Sequence, residues 1–165
     1  LKGNAEEGLV AIHGNIVVEA GDLMFLNTTA GIVYGVAADN YGYPFTSLTC
    51  TTAATAREYA LISNFLGVAM ESSPSGVTEN ITVTKSGVFR FPLVHKAGVT
   101  VGALVSAVSS AATTSTSGVS DQHVAIVGDA QATTAYLGYV TKTQSGASYV
   151  DFQIRTAFGP AGVAT

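Results

Sequence analysis

Ala20-Gly21-Asp22-Leu23-Met24-Phe25-Leu26 leads, after a long connection, to Phe65-Leu66-Gly67-Val68-Ala69-Met70-Glu71, the turn Ser72-Ser73-Pro74-Ser75-Gly76 and Asn80-Ile81-Thr82-Val83-Thr84-Lys85. The same order returns as Val101-Gly102-Ala103-Leu104-Val105-Ser106-Ala107, then Tyr136-Leu137-Gly138-Tyr139-Val140-Thr141, the turn Gln144-Ser145-Gly146 and Ser148-Tyr149-Val150-Asp151-Phe152-Gln153-Ile154. Each copy is a Gly-led apolar strand, a Leu-Gly strand and a hairpin. Identity between the copies is low, but the type and order of elements are kept, and that is what duplication of a folding unit preserves. The expectation is a mainly β chain in which two related halves, about 16–91 and 97–158, close one compact barrel.

Outward from these stretches, Leu1 to Asn15 carries Gly3, Gly8 and Gly14 with little periodicity and reads as an extended N-terminal arm ahead of a single β-rich domain over 16–165. Ile16, Val17 and Val18 are strand-like, and Asp22 is expected to serve the backbone of its turn. The segment over 28–49 holds Gly31, Gly35, Gly42 and Pro44 among Tyr34, Tyr41, Tyr43 and Phe45 and reads as short strands with a long surface loop. The run over 52–65 predicts one short helix, because Ala53, Ala54, Ala56, Arg57, Glu58, Ala60 and Leu61 favour helix and neither Gly nor Pro interrupts them. Alternation then places Ile81 with Val83 on one face, and Phe89, Phe91 and Leu93 on another with Arg90 turned away. Pro92 offers no N–H to a sheet, so its strand is expected at an edge or at its own end. His123 to Val127 reads as a short strand, Val150, Phe152 and Ile154 as the buried side of another, and 106–120 as a Ser/Thr-rich segment without assigned structure.

Composition separates function classes. The 165 residues are 47% hydrophobic and only 11% charged, with a net charge of −4. An ordinary soluble domain is about 25% charged, so this chain has little charge with which to coat its surface. The longest small or apolar stretch, Val99 to Ala112, is broken by Thr100, Ser106, Ser109 and Ser110 and falls short of the ~20 residues of a membrane span. Association is the remaining way to cover apolar surface, and it predicts an oligomer or a component of a larger assembly. Lys2, Arg57, Lys85, Arg90, Lys96, Lys142 and Arg155 are scattered singly, so no basic patch for nucleic acid forms in the sequence. The lone Cys50 has no partner for an internal disulfide. The sequons at Asn27 and Asn80 bear only on a eukaryotic secreted protein.

Catalytic motifs are absent from the sequence. There is no Gly-x-Ser-x-Gly elbow, no phosphate loop ending in Gly-Lys-Ser/Thr, and no Gly-x-Gly-x-x-Gly opening a helix. His13, His95 and His123 lie in unrelated contexts, and the eleven carboxylates show no pairing that local sequence would fix. Asp121 and His123 share one side of a strand and form the best candidate pair for metal or acid–base chemistry, but such spacing is common by chance. The expectation is a protein that is not an enzyme, with no catalytic, cofactor-binding or metal site.

Ala20-Gly21-Asp22-Leu23, the helix running into Phe65-Leu66-Gly67-Val68-Ala69, the hairpin to Ile81-Thr82-Val83, Ser86-Gly87-Val88-Phe89, and Ala97-Gly98-Val99-Thr100-Val101-Gly102 together resemble the capsid decoration, or cement, proteins of tailed bacteriophages. The resemblance covers about residues 16 to 107. It implies a β-barrel or β-tulip-like domain that forms a homotrimer on the outer surface of an assembled, expanded head and clamps neighbouring major capsid subunits. It also implies assembly in the host cytoplasm and no catalysis. Two other classes stand beside it. One is a receptor- or carbohydrate-binding module of a head or tail fibre, suggested by the loop from Tyr34 to Tyr43. The other is a small β-barrel hydrolase using Asp121 and His123.

Overall fold

A computed structural model of the chain describes residues 7–28, 37–45, 63–94, 99–109, 119–127, 136–142 and 148–156. It is mainly β. The strands are β1 (Glu7–Ile12), β2 (Leu23–Leu26), β3 (Gly42–Pro44), β4 (Phe65–Ala69), β5 (Glu79–Thr84), β6 (Val88–Pro92), β7 (Leu104–Ser109), β8 (Val119–Ile126), β9 (Gly138–Val140) and β10 (Tyr149–Ile154). β1 to β5 form a closed barrel in the order β1-β3-β2-β4-β5, and β6 to β10 form a second sheet in the order β6-β10-β9-β7-β8.

Opened between β1 and β3, the barrel has the neighbour order β1-β5-β4-β2-β3, which is the order of the second sheet element for element. The registers agree as well. Leu23 faces Val68 and Val68 faces Thr84, as Leu104 faces Tyr139 and Tyr139 faces Gln153. Val10 faces Ile81 as Phe91 faces Val150. The seam also corresponds: the parallel pair Ile12 and Gly42 closes the barrel, and a single parallel bridge between Leu93 and Val124 joins the two outer strands of the second sheet. Gly42 accounts for part of the tighter closure, since a Cβ there would lie 2.5 Å from Val10 Cγ1. Val124 fills the matching place with a buried side chain.

The two sequence signatures have local causes. Each unit enters its first Gly-led strand through a turn: Asp22 N–H donates to Glu19 O at 3.1 Å and Ala103 N–H to Thr100 O at 3.2 Å. Gly21 and Gly102 take the third turn position with φ of 102° and 84°, the positive values that a type II turn requires. In the Leu-Gly strands, Leu66 and Leu137 turn into the core, and the following glycine presses on the next strand. A Cβ on Gly67 would lie 2.0 Å from Thr84 O, and one on Gly138 would lie 1.9 Å from Gln153 O. Leu-Gly therefore marks a place where only bare backbone fits.

Inside, the barrel core holds Val10, Ile12, Val18, Met24, Leu66, Ala69, Ile81 and Val83, with Leu26 packed against it. The matching positions of the second unit, Phe91, Leu93, Val99, Val105, Leu137, Val140, Val150, Phe152 and Ala107, are apolar in every case and belong to a second cluster. That cluster also takes in Leu23, Phe25, Tyr43, Phe45, Phe65 and Val68, which project from the outer side of the barrel. One apolar body thus joins the halves.

Four expectations change. Of the arm expected over 1–15, residues 1–6 lie outside the described residues, and Glu7–Ile12 is a barrel strand paired along its length with β5, because Leu9-Val10-Ala11-Ile12 supplies the alternation that the flanking glycines obscure. The two halves do not close one barrel; each curls on its own, and the units begin at β1 and β6 rather than at Ile16 and Ala97. Ile16 and Val17 are not strand, and Val18 makes only an isolated bridge with Ser73. Most of the helix expected over 52–65 lies outside the described residues; Ser63 is helical, and Phe65 already belongs to β4. The alternation of Phe89, Phe91 and Leu93 appears as expected, with Arg90 on the other side and Pro92 ending an outer strand.

Candidate interaction surfaces

Among the described residues, the histidines His13 and His123 belong to different units, one beside the barrel strand β1 and one on β8 of the second sheet. His13, just past β1, packs edge-to-face on Tyr41 with ring centroids 5.4 Å apart. His123 is half-buried on β8, where Asp121 is also placed, while His95 and Cys50 lie outside the described residues. Among the described residues, no three His, Cys, Asp or Glu side chains are grouped so as to hold a metal ion. Asp22 accepts from Glu19 N–H at 2.9 Å and serves its turn, as its sequence context indicated.

The polar residues that are gathered together have a structural task. Asn27, wholly buried, donates from Nδ2 to Ala37 O at 3.0 Å and to Asp39 Oδ1 at 3.1 Å. Its own backbone carbonyl accepts from the N–H groups of Asp39 and Asn40. Asp39 also accepts from Tyr41 N–H and from the Tyr43 hydroxyl. Burial, and then the Asp39 carboxylate, push the Tyr43 hydroxyl far above the usual tyrosine range, which keeps it a neutral donor. This network ties the connection after β2 to the mouth of the barrel. It also places the asparagine of the first sequon inside the fold and turns two residues of the tyrosine-rich loop inward, Tyr43 fully and Tyr41 halfway.

A row crosses the second sheet from β7 to β6 in direct register: Leu104, Tyr139, Gln153 and Val88. Its apolar members are 39%, 47% and 54% exposed, respectively for Leu104, Tyr139 and Val88. Val101 in the preceding turn and Tyr149 at the start of β10 are exposed too. The same row on the barrel reads Leu23, Val68, Thr84 and Glu7, and there the first three are buried. Composition predicted excess apolar surface but not this row, since Leu23 and Leu104 stand in equally apolar contexts. Beside it, Arg90 and Asp151 face each other across β6 and β10 in a two-pronged ion pair of 2.7 and 2.9 Å.

Where the halves meet, Leu23 N–H donates to Gln122 Oε1 at 2.7 Å. Gln122 and Asn40 are the non-glycine residues with positive φ among those described, 49° and 59°. They correspond in the two units, each standing two residues before the seam position, Val124 or Gly42.

No protein-family model matches the chain, and no curated protein matches it in sequence. Among solved structures, the chain is similar to the head fiber gp8.5 N base of bacteriophage phi29, over 90% of this chain and 94% of that one, at 11% identity and a TM-score of 0.43.

Proposed function

We propose that this chain is a structural virion protein that binds the outer surface of an assembled, expanded phage capsid and stabilises it by clamping neighbouring major capsid subunits, as a homotrimer. The observation that carries this reading is the exposed row of Leu104, Tyr139 and Val88 across the second sheet, in a chain with only 11% charged residues. Such a scaffold covers apolar surface by association. The order of the Gly-led and Leu-Gly motifs, in its resemblance to decoration proteins, supplies the kind of assembly. Many weak contacts made at high effective concentration on a lattice add up to strong reinforcement. The apolar barrel interior is the reverse of the polar lumen of a transmembrane barrel and favours a location away from lipid.

The purified chain is expected to sediment with expanded heads and not with precursor heads, and to raise the temperature at which packaged DNA is released. Equal release temperatures with and without bound chain would remove the clamping role. A carbohydrate-binding fibre module is the second reading. It rests on the exposed Tyr139 and Tyr149, because in the loop from Tyr34 to Tyr43 the Tyr43 side chain is buried and Tyr41 half-buried, while Tyr34 lies outside the described residues. Binding on a glycan array, lost with Tyr139→Ala, would favour it over capsid binding.

A further inference from the structure

We infer that the Leu104–Tyr139 face docks the β1–β3 corner of a second copy of this chain, around His13, Asn40 and Tyr41, repeating between chains the contact that already joins the two units within one. The inference deepens the self-association of the proposed function and does not depend on capsid binding.

Equivalence of the units carries the argument. In the first unit the row Leu23, Val68 and Thr84 is buried, and Leu23 and Val68 belong to the apolar cluster of the second unit. The contact includes the bond from Leu23 N–H to the left-handed Gln122 within β8. In the second unit the same row is open, with Leu104 39% and Tyr139 47% exposed. The structure also holds an uncovered counterpart of Gln122. Asn40 is exposed, has the same left-handed backbone and a side-chain amide, and sits before β3 as Gln122 sits before the seam of the second sheet. Beside it, Tyr41 is only half-buried and packs edge-to-face with His13. Each chain thus presents one used and one unused example of both surfaces. The charge at the end of the row changes accordingly, from the exposed Glu7 to Val88. A contact between two different surfaces is heterologous, so copies joined by it form a ring if the rotation closes and an open chain if it does not.

The test uses sedimentation equilibrium of the full chain and of three variants. Leu104→Asp/Tyr139→Asp changes the open face, Asn40→Gly removes the corner amide while keeping a backbone that glycine adopts freely, and Met70→Asp is a control at an exposed apolar site elsewhere. The face variant should abolish self-association and Asn40→Gly should weaken it about tenfold, while Met70→Asp leaves it unchanged. An equimolar mixture of the face variant with wild type should stop at capped, short assemblies, because the face variant keeps a working corner. Circular dichroism melting shows whether each variant is folded; if the face variant is not, Leu104→Ser/Tyr139→Ser replaces it. A wild-type chain that is monomeric at all concentrations would overturn the inference. So would self-association that survives the face variant, or a face variant that fails to cap wild type, as expected of a face-to-face contact. If the chain associates as inferred but does not sediment with heads, the capsid reading fails and this contact stands; if it sediments with heads as a monomer, this contact and the homotrimer fail and capsid binding stands.

Discussion

The barrel and the second sheet have the same five-strand order and the same registers, yet they differ in how they close and in what covers them. The inner positions agree in kind: Val10, Ile12, Ile81 and Val83 on one side, Phe91, Leu93, Val150 and Phe152 on the other. The outer positions do not. Phe25 and Tyr43 on the barrel correspond to the buried but small Ser106 and Ala125 on the sheet. An inner layer must fill a closed space whatever the unit does, whereas an outer layer answers to its neighbour. The comparison therefore teaches that fold is held in the inner positions of this chain and association in the outer ones.

The largest expected effect probes whether the halves are one cooperative body. Phe152→Ala empties a buried site in the cluster that spans both units, and Ile81→Ala one in the barrel alone; the first should cost about 3–5 kcal/mol and the second about 2–5 kcal/mol in urea unfolding. Because Leu23, Phe25 and Val68 tie the barrel to the second cluster, each variant should still unfold in one transition. Two separated transitions in Ile81→Ala would show that the units fold as neighbours without coupling.

Next in size is the Leu-Gly motif. Gly67→Ala and Gly138→Ala both drive a methyl group into a strand carbonyl, and the first also meets a φ of 132°. Losses of about 2–3 kcal/mol are expected at each, with Gly67→Ala the larger. A neutral Gly138→Ala would break the equivalence at the point where the two units agree most closely.

How far the sequence reveals this is itself uneven. The Gly-led turn and the Leu-Gly strand are legible because backbone geometry demands particular residues there, so both copies keep them. β1 is hidden, although it corresponds to β6, because a strand at that position needs only alternate apolar residues: Val10 and Ile12 in one case, Phe91 and Leu93 in the other. Gly8 and Gly14 then make the first example look like an arm. The row of Leu104, Tyr139 and Val88 leaves no sequence signal, since exposure there depends on which unit lies over the face. Asp39 was visible only as a scattered carboxylate; its task comes from the fold, which brings Asn27 and Tyr43 to it.

A smaller effect tests the seam. Gly42→Val places in the barrel the residue type that Val124 supplies in the sheet, and its branch would crowd Val10 and Ile12. Overpacking of this kind should cost about 1–2 kcal/mol and raise amide exchange in β1 and β3 before other strands. If exchange rises evenly throughout, the glycine does not account for the closer join of β1 and β3.

The smallest effect lies at a position where the units use different chemistry for one task. In the barrel, Thr82 N–H donates to the Glu71 carboxylate at 2.6 Å. At the corresponding strand position of the sheet, Asp151 is held by Arg90. Both carboxyls are drawn below the usual carboxylate range, Glu71 by the Thr82 N–H and Asp151 by the Arg90 hydrogen bonds. A carboxyl depressed in the folded chain stabilises it above the ordinary carboxylate range, and that contribution is lost as pH falls through the depressed value. Stability should therefore decline on acidification through the carboxylate range, and Asp151→Asn should remove its share of the slope. Because Arg90 is 63% exposed, the pair is screened, and the loss in Asp151→Asn should shrink further in about 1 M salt, where the Debye length is about 3 Å. The Glu71 contact, made to a backbone N–H rather than to an exposed guanidinium, should keep more of its pH dependence at that salt. Equal salt sensitivity of Glu71→Gln and Asp151→Asn would mean that both carboxylates act through the general field of the protein and not through these two partners.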